Sequence, residues 1–320
     1  MLELLNLTGP IFALIGLGWL GVRAGLFDRT QLPALGRFVI GFCIPAMLLR
    51  ALGQRDPMEV ANGRYLLAYA AGSLLALGAG LLWARSRGQP RERAAMSAMG
   101  MSCSNSAFVG FPLALQLVGP EAAVAFALTM VVENFLMMPL CLAIADSAAA
   151  QHEPLHRAIV RAGWGLRKNP IVLGLVAGVL LGGLRTHAGL ALPQALQKAV
   201  ELMANASAGV SLFYIGGALV GLEAGQGLKT HVAAVSAGKL LLHPLGVAAA
   251  LWLLGPMPLP LAWSAVVLAG APMLGIYPIL GQRYGLQALN AACMLGATLA
   301  SFVSLGGLIA LLRLVWGPPH

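Results

Sequence analysis

Ser102-Cys103-Ser104-Asn105-Ser106-Ala107-Phe108-Val109-Gly110-Phe111-Pro112 lies inside an otherwise apolar run, residues 94–117. Five small, mostly polar residues followed by Gly and Pro are a poor continuation of a helix. A proline removes one helical hydrogen bond and its ring clashes with the preceding turn, and glycine offers little resistance to unwinding. The run therefore reads as a helix that breaks near its middle. The second half of the chain repeats the feature: the apolar run 261–282 carries Gly270-Ala271-Pro272 and then Gly275-Ile276-Tyr277-Pro278. Two interrupted helices at equivalent places decide the fold, once the medium around them is known.

That medium is lipid. The chain is 59% hydrophobic and 10% charged over 320 residues, where a soluble domain carries about 25% charged residues. Apolar runs recur at about twenty residues, the length that crosses a hydrocarbon core of about 30 Å. Backbone groups in lipid must be satisfied within the span, so such runs are helices; the short alternating strands of a porin are absent. Ten spans are expected, at 8–23, 34–50, 65–84, 94–117, 122–145, 170–186, 195–220, 231–253, 261–282 and 288–312. The N-terminal run has no basic leader and no small-residue cleavage site, so it reads as span 1 and not as a signal peptide. The formal charge of +9 comes from arginines set between apolar runs, not in a patch, so it implies no nucleic-acid partner. Cys43, Cys103, Cys141 and Cys293 are scattered and lack metal-ligand spacing, so no metal and no disulfide is expected.

Basic residues on alternate connections set the orientation. Arg23, Arg29 and Arg37, then Arg85 to Arg93, Arg157 to Lys168, Lys229 and Arg283 put 13 on one side against 6 on the other, with Lys239 inside a span. Basic loops stay in the cytoplasm, so both termini are expected outside the inner membrane. The connection 146–169 divides the chain into two five-span halves, 1–145 and 170–314. Ala71-Gly72-Ser73-Leu74-Leu75 matches Ala237-Gly238-Lys239-Leu240-Leu241, and Phe111-Pro112-Leu113 matches Tyr277-Pro278-Ile279; these pairs, and Gly119 with Gly285, all stand 166 positions apart. With an odd number of spans per half, the repeats are inverted.

Paired interruptions of this kind point to a transporter site. Broken ends expose N–H donors and a positive dipole end, which suits an anion. Asn105 is the first candidate ligand, because an amide both donates and accepts. Ser104, Ser106, Gly110, Pro112, Ala271 and Pro272 complete the crossing, and Pro45, expected to break span 2, and Tyr214 offer side walls, with Tyr277 a similar hydroxyl in span 9. Glu133-Asn134 in span 5 and Lys239 in span 8 are ionisable or polar residues deep in spans, where an isolated charge costs several kcal/mol. Glu133 suits a proton or sodium site; Lys239 either neutralises an anionic substrate or pairs with Glu133. His243-Pro244 reads as a kink with a packed histidine.

Phe42-Cys43-Ile44-Pro45, the Ser104-to-Pro112 crossing, Glu133-Asn134 and Asn169-Pro170 together resemble the auxin efflux carrier family over about residues 8–312. The resemblance implies ten spans in inverted repeats, crossed helices 4 and 9, and a fold similar to bile acid sodium symporters. It further implies a homodimer and an elevator, with spans 1, 2, 6 and 7 as scaffold and spans 3–5 and 8–10 as the moving unit. The long loop of plant members is missing, and the second crossing has Ala271 where an asparagine would be expected for auxin, so small organic anions such as dicarboxylates are the expected substrates. No cofactor is implied beyond a coupling H+ or Na+. The alternative reading is a sodium/proton exchanger of related architecture. An enzyme is not expected: there is no HExxH motif and no acidic pair within a span.

Overall fold

The computed structural model describes residues 2–149, 167–221 and 229–319. Most of the 146–169 connection, including Arg157 and Arg161, lies outside the described residues. The chain is an all-helical polytopic membrane protein. Its elements are α1 (Leu2–Arg23), α2 (Arg29–Gly53), α3 (Gly63–Ser86), α4a (Arg91–Ser102), α4b (Ser106–Val118), α5 (Glu121–Asp146), α6 (Pro170–Ala188), α7 (Gln194–Leu219), α8 (Lys229–Leu254), α9a (Leu259–Gly270), α9b (Tyr277–Gln282) and α10 (Gln287–Trp316). Seven of these, α2, α3, α5, α6, α7, α8 and α10, are long and apolar enough to cross a bilayer; α4b, α9a and Ala13–Arg23 are shorter apolar helices. Each expected span falls on a helix or on one of the two split helices.

The helices pack as two groups. In the first, α1 lies on α7 and α2 lies on α6 and α7; in the second, α3 lies on α8 and α4a, α4a on α5, and α9a on α5, α8 and α10. The α2–α6 seam is close because of Gly174, Gly178 and Gly182. A Cβ on Gly174 would stand 2.5 Å from the Pro45 Cα, and one on Gly178 would stand 2.8 Å from the Leu48 carbonyl oxygen. Small residues let helix backbones approach where lipid offers no hydrophobic drive.

Proline shapes the helices in a way the sequence reading did not anticipate. Pro45 does not break its helix; α2 continues to Gly53. Instead, the residue before the proline bonds back five positions: Ile44 N–H to Val39 O, Phe111 to Ser106 O, Met138 to Glu133 O and His243 to Gly238 O. In each case a proline follows at once, Pro45, Pro112, Pro139 and Pro244. Its ring would clash with the carbonyl four residues back, and a turn widened by one residue relieves the clash. Widened turns of this kind are frequent at functional sites. Ser106, Glu133 and Lys239 lie in three of the four.

Candidate functional site

The breaks fall at Cys103–Asn105 and at Ala271–Ile276, between the paired half-helices. Cys103 is extended, with φ −104° and ψ 130°. Ala271 is extended too, with φ −61° and ψ 149°, because the proline after it disfavours the helical region. The two extended segments lie antiparallel at Ser104 and Met273, and Asn105 N–H donates to Pro272 O at 2.7 Å. Gly110 makes the approach possible: a Cβ there would stand 3.0 Å from the Leu268 side chain and 3.3 Å from the Ala271 methyl. Gly110, Ala271 and Pro272 therefore build the crossing, and Pro112 sits behind it, buried just after the widened turn; none of the four borders the cavity beside it.

Glu133 is clamped from one side. Its Oε1 accepts from Ser106 Oγ at 2.8 Å, Tyr69 Oη at 3.0 Å and Ser104 N–H at 3.3 Å. No described residue donates to Oε2, and Glu133 borders the cavity, 7% exposed. Lys239 is fully buried, and its Nζ lies 2.7 Å from each of Ser104 Oγ, Ala269 O and His243 Nδ1. An ammonium has three donors, and all three are occupied. Lys239 does not border the cavity, so the expectation that it neutralises a substrate does not survive. Nor does it pair directly with Glu133; Ser104 joins them. His243 is more than a packed kink. A Lys239 ammonium donating to Nδ1 leaves the neutral ring its proton on Nε2, which reaches Ser73 Oγ at 2.9 Å.

A cavity of about 420 Å³ opens between the crossing and the α2–α7 face. Ser104, Asn105, Ser106, Glu133, Asn134 and Tyr214 border it. Asn105 is 5% exposed, and no described residue bonds its side-chain amide. The backbone amides of Ser106, Ala107 and Phe108, the first turn of α4b, likewise have no acceptor among the described residues. Five donors and one acceptor therefore face one end of the cavity, counting the Asn105 amide as two N–H groups and one C=O. Asn134 is partly occupied: its Nδ2 donates to Met130 O at 2.9 Å, and Asn169 Nδ2 donates to its Oδ1 at 3.2 Å. Asn169 in turn caps α6 by accepting from Ile171 N–H. Tyr214 lays its ring against Gly36 and 5.3 Å from that of Phe108.

Two expected side walls belong elsewhere. Pro45 packs on Gly174 in the α2–α6 seam, and Tyr277 donates to Met96 O at 2.7 Å, tying α9b to α4a. The sequence reading missed Arg37, Phe108, Met130, Met138, Ile171 and Gly275, all of which border the cavity, and Tyr69, which holds Glu133. The cysteines are all free and buried, though not wholly scattered: Cys103 and Cys141 bring their sulfurs to 3.9 Å. A second, more polar cavity of about 650 Å³ lies at the other end of α2, bordered by Arg50, Gln54, Arg55, Leu115, Gln197 and Glu201. Beside it, Arg55 pairs with Glu121 at 3.1 Å.

Two split membrane helices that meet at their breaks, with unpartnered polar groups over a cavity, belong to a transporter. The family described as "Membrane transport protein" matches residues 7–309. The chain belongs to this family, which is that of the auxin efflux carriers and is a family of transporters, not of enzymes. Over 322 aligned residues it is 27% identical to a protein of Rhizobium meliloti (strain 1021) named "Putative malonate transporter", covering 98% of this chain and 97% of that relative.

Proposed function

We propose that the chain is a secondary carrier of small organic anions, dicarboxylates such as malonate before auxin-like acids, across the cytoplasmic membrane. The observation that carries the reading is Asn105: an amide 5% exposed, without a protein partner, beside three free N–H groups of α4b. Its polar atoms open on the cavity with no protein partner, and helix N-termini are ready anion sites. A carboxylate satisfies both. The remaining walls are mainly apolar and suit a short carbon skeleton. Glu133 Oε2 borders the same cavity and is the group for a coupling proton or sodium ion. The distant relative's name, which mentions malonate, supports the choice of dicarboxylates.

The mechanism that fits is an elevator. Ten spans form two inverted five-helix repeats, and the left-handed Gly119 and Gly285, φ 73° and 69°, close equivalent helices 166 positions apart. The group α1, α2, α6 and α7 is the scaffold and would pair two protomers; α3 to α5 with α8 to α10 carry the anion. The basic α1–α2 connection supports a crossing cavity that opens to the cytoplasm, with both termini outside. A sodium/proton exchanger would use Glu133 as well, yet it would leave Asn105 and the α4b amides without a ligand. The test is uptake into proteoliposomes of a panel of labelled mono- and dicarboxylates, with and without proton and sodium gradients. Uptake or exchange of an organic acid is the expected result; sodium/proton exchange with no organic-anion flux overturns the reading.

A further inference from the structure

The donors of the crossing serve one carboxylate, and a dianion brings two. A second carboxylate buried against Phe108, Met130 and Met138 without a partner would be strongly disfavoured. Lys239 is not available to it. Among the described residues that border the cavity, Arg37 is the one cation. It lies on the face of α2 formed by Pro33, Gly36, Arg37 and Ile40, spaced as one helical stripe and all bordering the cavity. Gly36 is covered by the Tyr214 ring, whose nearest carbon would stand 3.2 Å from a Cβ at that position; Arg37 beside it is exposed. No described residue forms a hydrogen bond or ion pair with its guanidinium. That planar fork of donors matches a carboxylate in two-point contact. We infer that Arg37 receives the second carboxylate of the substrate and so makes the carrier select dianions over monoanions. The inference rests on the organic-anion reading above and deepens it. In consequence the bound dianion touches both helix groups, the crossing through Asn105 and α2 through Arg37.

The experiment compares malonate with its monomethyl ester, which keeps the skeleton and removes one charge. Wild type, Arg37→Gln and Arg37→Lys are reconstituted in proteoliposomes, and KM and maximal rate are measured for both acids. The expected result is a KM for malonate raised by about tenfold or more in Arg37→Gln, with the ester changed less than twofold. Arg37→Lys, which keeps the charge and loses the fork, should fall between. A parallel loss for both acids, an unchanged malonate KM, or a wild type that prefers the ester would overturn the inference. Wild type that moves neither acid, nor any other organic acid of the panel, would instead sink the organic-anion reading itself. Malonate-dependent thermal stabilisation of the detergent-solubilised proteins gives a second readout: wild type should respond and Arg37→Gln should not, and equal responses would count against Arg37.

Discussion

Lys239 and Glu133 act on each other through one serine. Ser104 accepts from Lys239 Nζ at 2.7 Å through its hydroxyl and donates its amide to Glu133 Oε1 at 3.3 Å. Ser104 is also the residue whose extended backbone opposes Met273 at the crossing. The broken helix, the buried cation and the cavity carboxylate thus share a single residue, and a displacement of one is felt by the others.

The first prediction concerns the cation. Lys239→Met removes three internal hydrogen bonds and leaves Ala269 O and Ser104 Oγ without a donor. Breaking a buried charge network from one side costs about 3–5 kcal/mol. The variant is therefore expected to show a clearly lower thermal unfolding temperature in detergent. Because Lys239 does not border the cavity, remaining transport should fall by a similar factor for malonate and for its monomethyl ester. A loss confined to the dianion would mean that the lysine reaches the substrate after all.

Asn105→Ala should behave in the opposite manner. The side chain has no described protein partner, so its removal leaves folding and membrane abundance close to wild type. The backbone contact from Asn105 N–H to Pro272 O survives the change. Transport of every accepted anion is expected to drop by tenfold or more, since losing a hydrogen bond to a charged group costs about 1.5–3 kcal/mol. Uptake at the wild-type rate would remove Asn105 from the site.

A third prediction separates packing from transport. Gly178 faces the Leu48 carbonyl and the Leu52 Cβ so closely that an alanine methyl would stand 2.8 Å and 3.0 Å from them. Overpacking of this kind costs about 1–3 kcal/mol. Gly178→Ala should lower the unfolding temperature while leaving the KM of the surviving protein unchanged. An unaltered unfolding temperature would show that the α2–α6 seam is looser than its glycine stripe implies.

What the sequence disclosed, and what it concealed, follows from the range of the forces involved. The two breaks were legible because Pro and Gly act on their own backbone: Pro272 makes Ala271 extended wherever the chain goes. Asn105 and Glu133 were legible because a polar group within an apolar run needs a reason. Arg37 was hidden, since an arginine near a span end is accounted for by orientation, and only the packing of α2 beside the crossing turns it toward the cavity. The surroundings of Lys239 are hidden for a related reason. Its depth is clear, but its three acceptors come from the α4a–α4b break, α8 and α9a, up to 135 positions away in the chain. The widened turns were readable in principle, because each ends one residue before a proline. Pro45 reads as a break, but the helix has a less costly answer.

The last prediction concerns coupling. Glu133 presents two unlike oxygens: Oε1 takes three donors from Tyr69, Ser104 and Ser106, while Oε2 has none among the described residues. A carboxyl held at one oxygen and open at the other can take up a proton or ion at the second without dismantling its surroundings. Gln keeps the size and an acceptor oxygen for the three donors but fixes the neutral state. Glu133→Gln is accordingly expected to fold normally and to exchange labelled for unlabelled anion. It should fail to accumulate anion in response to an imposed proton or sodium gradient. Counterflow and gradient-driven uptake, measured on the same vesicles, distinguish the outcomes. Accumulation equal to wild type would make the carrier a voltage-driven uniporter, in which Glu133 only braces the crossing. Loss of counterflow together with accumulation, in a protein of wild-type unfolding temperature, would place the charge of Glu133 in anion binding rather than in coupling.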